Sequence, residues 1–564
     1  MKSVNTYIAL ALLFAIPFLN LSYGEIQPWD EALYAIRAKI ILSGGSFFDQ
    51  THQALGGLYS STEPPLFVWL MSLSMWIFGE VNFSVRFVSA FSSGCAFVLL
   101  FFICSKIIQQ KRAILASLLL SITLCWNSYS RLGMLDIFLN TLFLADFLIL
   151  IYFNEKRLYS EKRKFAVLFG FFFLLGLLTK MNVSFIPILF LIVLYFQKKS
   201  FSEIKYLVYA VLFAIALASP WYLYMISIYK DVYWNSLLLP HIYSVVENND
   251  VILGPFYYLN QFAAANSLLL FSFILCLIFL FKKYRSKIIN ESNSFAVITC
   301  LLWFICSFLI FSLARTRMHH YTNYMIPSAI ILATIFIEKI EDFEFSSKQI
   351  FFILAVFTIC IFRQFFPAIS TMIKSGVYFR NILIIPLLIS GLFFIFSIIH
   401  PKKIGIYASK ILVFSIYSVI GFMLLKIVTT NLHENEGNFD GAIEVNRMLK
   451  LSKVKSFIYL YHEHTSADSL APQLAWYSDG WTCGWQPDKS FHPVSMPETG
   501  IDYKKLKSID SLEYDYVVYL LPKEKAVAEM VKRDLYQTRN PIIVNKSYAV
   551  FGMKVYHRKH AIEL

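Results

Sequence analysis

The 564-residue chain is 57% apolar and 17% aromatic, with only 15% charged residues, a mean hydropathy of +0.59 and a formal net charge of +14. Soluble domains carry about 25% charged residues, so this balance, with repeated apolar runs of about 18–22 residues, excludes a soluble globular protein and implies a polytopic α-helical membrane protein. The positive excess sits in short loops between apolar runs, where the positive-inside rule places it, and no nucleic-acid motif accompanies it.

The first apolar run, residues 4–21, follows Lys2. A cleavable signal peptide is the alternative to a retained helix. Ser22-Tyr23-Gly24 is a poor cleavage site and Pro17 interrupts the run, which favours retention. A first outer loop, 22–82, follows. Within it, Glu25-Ile-Gln-Pro28-Trp-Asp30-Glu31-Ala-Leu33-Tyr34-Ala-Ile-Arg37-Ala-Lys39-Ile-Ile41 reads as a helix at the membrane surface. Asp30, Tyr34, Arg37 and Ile41 share one side, and Leu33, Ile36 and Ile40 an apolar side. Adjacent acids at such a helix start look like a catalytic pair; equally, acids favour first helical turns because they complement the helix dipole. Ser60-Ser-Thr-Glu63-Pro64-Pro65-Leu66 comes next, and 67–78 reads as a second interfacial helix, short for a span.

Further spans are expected at 83–105, 112–128, 133–153, 165–179, 182–197, 205–226, 263–281, 295–313, 321–338, 349–367, 380–399 and 409–428. With the first run this makes about thirteen. Alternate loops hold about twenty Lys and Arg against about ten on the other side, which puts the N-terminus in the cytoplasm and the acidic helix outside. Residues 1–429 then form a transmembrane domain. Residues 430–564 form a small α/β domain outside the cytoplasm, with strands at 454–461, 516–521, 542–544 and 548–555 and a helix at 527–534. Trp476, Trp481 and Trp485 either fill its core or bind a sugar ring. Of eight cysteines only Cys483 lies in this polar region, so no disulfide forms within it, and no zinc spacing occurs.

Charged side chains near a membrane are costly, so those at outer span ends carry weight. Asp30, Glu31 and Glu63 lie in the first loop, Arg131 and Asp136 flank a span start, and Lys180 ends a span. His241 sits in a later loop, and Arg315, Arg317, His319, His320 and Tyr324 sit between two later spans. Singly, each has an ordinary structural reading. Together, outer-face cations run against the positive-inside bias and need an anion to explain them. A phosphate fits: Arg and Lys in a low-dielectric site stabilise a phosphate leaving group, and a facing carboxylate takes the proton of an attacking hydroxyl or amine. The phosphate would belong to a sugar-bearing lipid whose tail lies among the spans.

Pro28-Trp-Asp30-Glu31-Ala-Leu-Tyr34-Ala, Glu63-Pro64-Pro65-Leu66, Met134-Leu-Asp136, Leu178-Thr-Lys180 and Tyr324-Met-Ile-Pro327, in this order, resemble the GT-C glycosyltransferases. The likeness is to the aminoarabinose transferases of lipid A and the dolichyl-phosphate-mannose protein mannosyltransferases. It covers about residues 1–340 by motif and the whole chain by architecture. The resemblance implies an inverting enzyme of the bacterial inner membrane that uses a polyprenyl-phosphate sugar on the non-cytoplasmic face. It implies Asp30 as the base, assisted by Glu31, and places Asp136 and Lys180 in the site. Arg317 and His320 would face the donor phosphate, with Arg131 a weaker partner, and Tyr34, Glu63, His241 and Tyr324 would position substrate. Glu63 helps hold a metal in some relatives; without the rest of that site no essential metal or other cofactor is expected.

Three departures stand out: Leu33 replaces an arginine, Pro64 a lysine and Met181 a glycine of the aminoarabinose transferases. They leave the sugar open, and the acceptor as lipid, glycan or protein; the chain carries no signal of oligomeric state. A lipid-linked sugar flippase or transporter would show matching halves and mid-span charges. An assembly protein of envelope polysaccharide would be indifferent to loss of Asp30 and Glu31.

Overall fold

The computed structural model describes residues 4–28, 30–50, 63–155, 159–189, 201–237, 257–266, 291–313 and 318–339, with scattered positions elsewhere that include 442–444, 473, 476–477 and five short strands. The expected spans at 349–367, 380–399 and 409–428, and the helix at 527–534, lie outside the described residues.

Helix α1 (Val4–Ala15) ends in a 3-10 turn at Ile16–Phe18, where Pro17 stops the α-helix. The acidic segment forms α2 (Asp30–Leu42), and the short apolar run forms α3 (Leu66–Phe78). Then come α4 (Asn82–Ile107), α5 (Gln110–Ser121), α6 (Leu124–Tyr129), α7 (Leu135–Glu155), α8 (Tyr159–Leu177) and the single turn α9 (Met181–Ser184). Helix α10 (Phe201–Leu237), α11 (Tyr257–Ala265) and α12 (Glu291–Leu313) precede a 3-10 turn at His319–Tyr324 and α13 (Ile326–Lys339). Among the described residues, four stretches are long and apolar enough to cross a membrane: Asn82–Ile107, Leu135–Tyr152, Lys205–Asp231 and Phe295–Ser312.

Hydropathy located these elements and missed their interruptions. The span expected at 112–128 is two helices, because Thr123 is extended between them. The span expected at 205–226 continues to Leu237 through Pro220 and breaks at Lys230, whose φ is +47°. The span expected at 321–338 opens as a 3-10 turn; α11 (Tyr257–Ala265) overlaps only the start of the span expected at 263–281, most of which lies outside the described residues.

Two glycines permit the packing that sets the site. A Cβ on Gly94 of α4 would meet the Phe14 ring of α1 at 2.6 Å, so glycine lets these two helices touch. A Cβ on Gly133, just ahead of α7, would meet Val85 Cγ1 at 2.7 Å, so glycine brings the α7 entrance onto α4. Helix α2 is buried nearly all round, with Tyr34, Ile36, Arg37 and Ile40 all covered. Residues of α3 and α4, with Leu135 and Trp476, pack against it, so the side of Tyr34 and Arg37 is as covered as the apolar side.

Beyond residue 456, five strands form one mixed sheet in the order β2-β1-β3-β5-β4, where β1 is Phe457–Tyr461, β2 Gly500–Asp502, β3 Tyr516–Leu520, β4 Ile543–Val544 and β5 Tyr548–Gly552. β1 runs parallel to β2 and β3; β5 is antiparallel to β3 and β4. β2 escaped the sequence reading because three residues carry no alternation to detect.

Candidate active site

Adjacent residues on a helix point about 100° apart, and this separates the two acids of α2. Glu31 is 1% exposed. Its carboxylate accepts from Arg86 Nε at 2.9 Å, the Gly133 backbone N–H at 2.8 Å and the Gln27 N–H at 2.7 Å. Arg86 of α4 donates in turn to the carbonyls of Leu21 (3.2 Å), Tyr23 (2.6 Å) and Glu25 (2.8 Å). A buried ion pair needs such additional hydrogen bonds to offset desolvation. These bonds tie α2 through the Glu31 carboxylate to α4 and to the entrance of α7.

Asp30 faces another way. It keeps solvent-accessible surface, although protein surrounds it closely enough for desolvation to dominate its ionisation. Burial first, then the charges of Glu63 and Asp136, raise its pKa to about 7, with Lys180 opposing. Lys180 Nζ stands 3.7 Å from Asp136 Oδ1 and 3.9 Å from Glu63 Oε1, and 5.0 Å over the Tyr321 ring. Burial disfavours the ammonium, but Tyr321, Asp136, Glu63 and Asp30 outweigh it and hold the Lys180 pKa above the usual lysine range. Lys180 is therefore a permanent cation among three carboxyls.

Three further chain segments complete this recess. Glu63 precedes buried Pro64 and Pro65, whose rings fix the backbone, and the Leu66 N–H donates to the Leu178 carbonyl at 3.0 Å. That bond brings the Glu63 loop to the turn bearing Lys180. Tyr34 Oη donates to Glu63 Oε2, and Arg37 Nη2 donates to the Glu63 carbonyl at 3.3 Å. Tyr324 Oη donates to Asp136 Oδ1 at 2.7 Å, while His320 Nε2 stands 3.7 Å from Asp136 Oδ2. Burial lowers the His320 pKa to about 4, with Lys180 and His319 adding and Asp136 opposing. Its imidazole is thus neutral near pH 7, and the contact with Asp136 is not an ion pair there.

The structure brings Asp30, Tyr34, Glu63, Asp136, Lys180, His320 and Tyr324 together around one recess. It places Arg131 elsewhere, donating from Nη2 to the carbonyls of Leu19 (2.6 Å) and Asn20 (3.2 Å) at the exit of α1. Its Nη2 is thus engaged at the α1 exit, away from the cluster around Lys180. His241, Arg315 and Arg317 lie outside the described residues. Tyr321 was missed, although a 3-10 turn has three residues per turn and puts it on the side of Tyr324. His319 was left without a role; its Nε2 meets Tyr129 Oη at 2.7 Å. Among the described residues no group of three or more His, Cys, Asp or Glu side chains is arranged to hold a metal ion.

The family model described as dolichyl-phosphate-mannose-protein mannosyltransferase matches residues 62–224. An undecaprenyl phosphate-alpha-4-amino-4-deoxy-L-arabinose arabinosyl transferase of Serratia proteamaculans is 29% identical over 345 residues, 59% of each chain. The protein of the same name from Shewanella sediminis is 27% identical over 352 residues, 60% of this chain and 61% of its own. The match thus spans about three-fifths of these relatives. Among solved structures, ArnT from Cupriavidus metallidurans bound to undecaprenyl phosphate superposes with a TM-score of 0.69 at 14% identity, over 98% of both chains. The archaeal oligosaccharyltransferase AglB from Archaeoglobus fulgidus gives 0.52 at 12% identity, over 92% of this chain and 70% of its own. The chain therefore has the fold of these membrane enzymes and is related to the aminoarabinose transferases and the protein mannosyltransferases.

Proposed function

We propose that the protein is an inverting glycosyltransferase that moves a sugar from a polyprenyl-phosphate donor to an acceptor on the outer face of the cytoplasmic membrane. The observation that carries this reading is the recess itself: Asp30 poised near neutrality, beside a Lys180 held cationic by Asp136 and Glu63. The names of the relatives and the fold shared with ArnT bound to undecaprenyl phosphate support the donor class.

In the proposed reaction, an acceptor hydroxyl or amine attacks the anomeric carbon from the face opposite the phosphate. Its proton passes to the Asp30 carboxylate as the new bond forms, because a base whose pKa lies near ambient pH serves best. The bond between anomeric carbon and phosphate oxygen breaks, and the lipid phosphate leaves with the electron pair. Lys180 and Arg317 stabilise the developing charge in a low-dielectric setting. Asp136 and Glu63 hold Lys180, while Tyr34 and Tyr324 fix those two carboxylates by hydrogen bonds. The same reading includes about thirteen spans and a C-terminal α/β domain outside the membrane; the five-stranded sheet supports that domain.

The test is reconstitution in liposomes with lipid-linked sugars, guided by mass spectrometry of lipids and glycans from cells with and without the protein. Asp30→Asn is expected to abolish transfer while insertion and donor binding persist. Near-normal turnover in that variant would remove Asp30 from the role of base.

A further inference from the structure

The second half of the chain reaches back to the acidic helix. Glu25, five residues ahead of Asp30, is buried. Its carboxylate accepts from the backbone N–H groups of Ala442 (3.0 Å) and Ile443 (3.1 Å) and from Gln473 Nε2 (3.3 Å). The Ile26 N–H donates to Tyr477 Oη at 2.8 Å. Tyr477 Oη and Trp476 Nε1 each stand 3.3 Å from Asn82 Oδ1, and Asn82 Nδ2 donates to the Gly24 carbonyl at 2.8 Å. At the other end of α2, Lys39 Nζ donates to the Trp476 carbonyl at 3.3 Å and lies 5.4 Å over the Trp476 ring, with Glu80 at 3.7 Å. Trp476 is 5% exposed and packs in one core with Ile26 and with Ala32, Tyr34, Ala35 and Ala38 of α2.

We propose that Ala442, Ile443, Gln473, Trp476 and Tyr477 form a clasp that sets the position of Asp30, with Glu25, Trp476 and Tyr477 as positioning residues. A 13-residue helix is marginal on its own and takes its place from tertiary packing. Here part of that packing arrives from the far end of the chain and grips the approach to α2 and its last turn. Releasing the clasp would strand a buried carboxylate at Glu25, which is costly. Held, it fixes the helix on the scale at which misplacement of about 1 Å slows a reaction. The clasp also gives Trp476 a place that the sequence left open between a domain core and a sugar platform: it is core, shared with the acidic helix.

The inference rests on the glycosyl-transfer reading for the chemistry of Asp30, so one measurement is independent of activity. Amide hydrogen exchange on the full-length protein in nanodiscs compares wild type with Trp476→Ala, Glu25→Ala, Glu25→Gln and Tyr477→Phe. Exchange across Asp30–Leu42 is expected to rise about tenfold in Trp476→Ala and Glu25→Ala, while exchange in α4 stays unchanged. Glu25→Gln, which retains acceptor capacity, should lose less. Turnover should fall about tenfold, with the KM for the lipid donor moving less than about twofold. The rising limb of the pH–rate curve should shift to lower pH as water reaches Asp30, which Glu63, Lys180 and Asp136 face. Unchanged exchange in α2, or faster exchange with unchanged turnover and pH limb, would overturn the clasp. If Trp476→Ala does not fold, Tyr477→Phe, which lacks one hydroxyl, decides by the same readouts. A wild type that exchanges as expected but transfers no sugar would sink the transferase reading and leave the clasp standing.

Discussion

A carboxyl whose pKa stands at about 7 changes state across the physiological range, and the sign of its effect follows from its role. As a base Asp30 must be deprotonated, so kcat/KM should rise with pH through about 7 and flatten above about 8. Initial rates in reconstituted liposomes from pH 5.5 to 9 check this; a profile flat across neutrality would deny Asp30 the role. Lys180→Met removes the cation between Asp136 and Glu63 and is expected to lower turnover by about 100-fold or more, as loss of one preorganised charge does. Glu31→Gln should behave differently. Breaking a buried pair typically costs about 3–5 kcal/mol because the remaining charge is uncompensated, so this variant should show a lower Tm in detergent before any specific kinetic signature. Asp30→Asn should leave Tm near the wild-type value. Helical position alone treats Asp30 and Glu31 alike. What separates them is Arg86, 55 residues away from Glu31, and a backbone N–H at Gly133, and neither distance can be read from helical spacing.

At the scale of elements, long apolar runs were legible because lipid-facing and core-facing residues are both apolar and length alone announces them. The span expected at 83–105 is α4, Asn82–Ile107, and that at 133–153 is α7, Leu135–Glu155. Breaks were not legible, since neither Thr123 nor Lys230 is a Gly or Pro that would announce a change of backbone conformation. The recess was partly legible for a related reason: motifs from α2, the Glu63 loop, α7, the Lys180 turn and the His319–Tyr324 turn each stood out, but what each side chain bonds did not. The contact of α1 with α4 has a direct test. Gly94→Val forces a side chain against Phe14 and should destabilise by about 1–3 kcal/mol. Adding Phe14→Ala should recover part of the loss, measured as thermal inactivation in detergent.

For the whole molecule, topology is the expectation most open to test. Single cysteines placed in the loops at 106–112 and 402–410 should resist a membrane-impermeant maleimide in intact spheroplasts. Cysteines at Ser61 and Ser511 should react. The opposite pattern would turn the recess toward the cytoplasm and away from an outer-face donor. The sheet beyond residue 456 was legible in four of its five strands, because alternating apolar runs mark them, whereas its tie to α2 through Glu25 and Trp476 spans more than 400 positions and leaves no local trace.

One feature of the first helix reaches further than its packing. With its 12 α-helical residues and a three-residue 3-10 turn, α1 and its extension measure about 24 Å, less than the hydrocarbon thickness of an ordinary bilayer at about 30 Å. Its exit is fastened by Arg131 at Leu19 and Asn20, and by Arg86 at Leu21 and Tyr23, and Arg86 also holds Glu31 beside Asp30. If α1 crosses the membrane as expected, a thicker or thinner bilayer would strain it by hydrophobic mismatch, and on the proposed reading the two arginines would pass that strain to Asp30; turnover in liposomes of differing acyl-chain length is expected to vary accordingly.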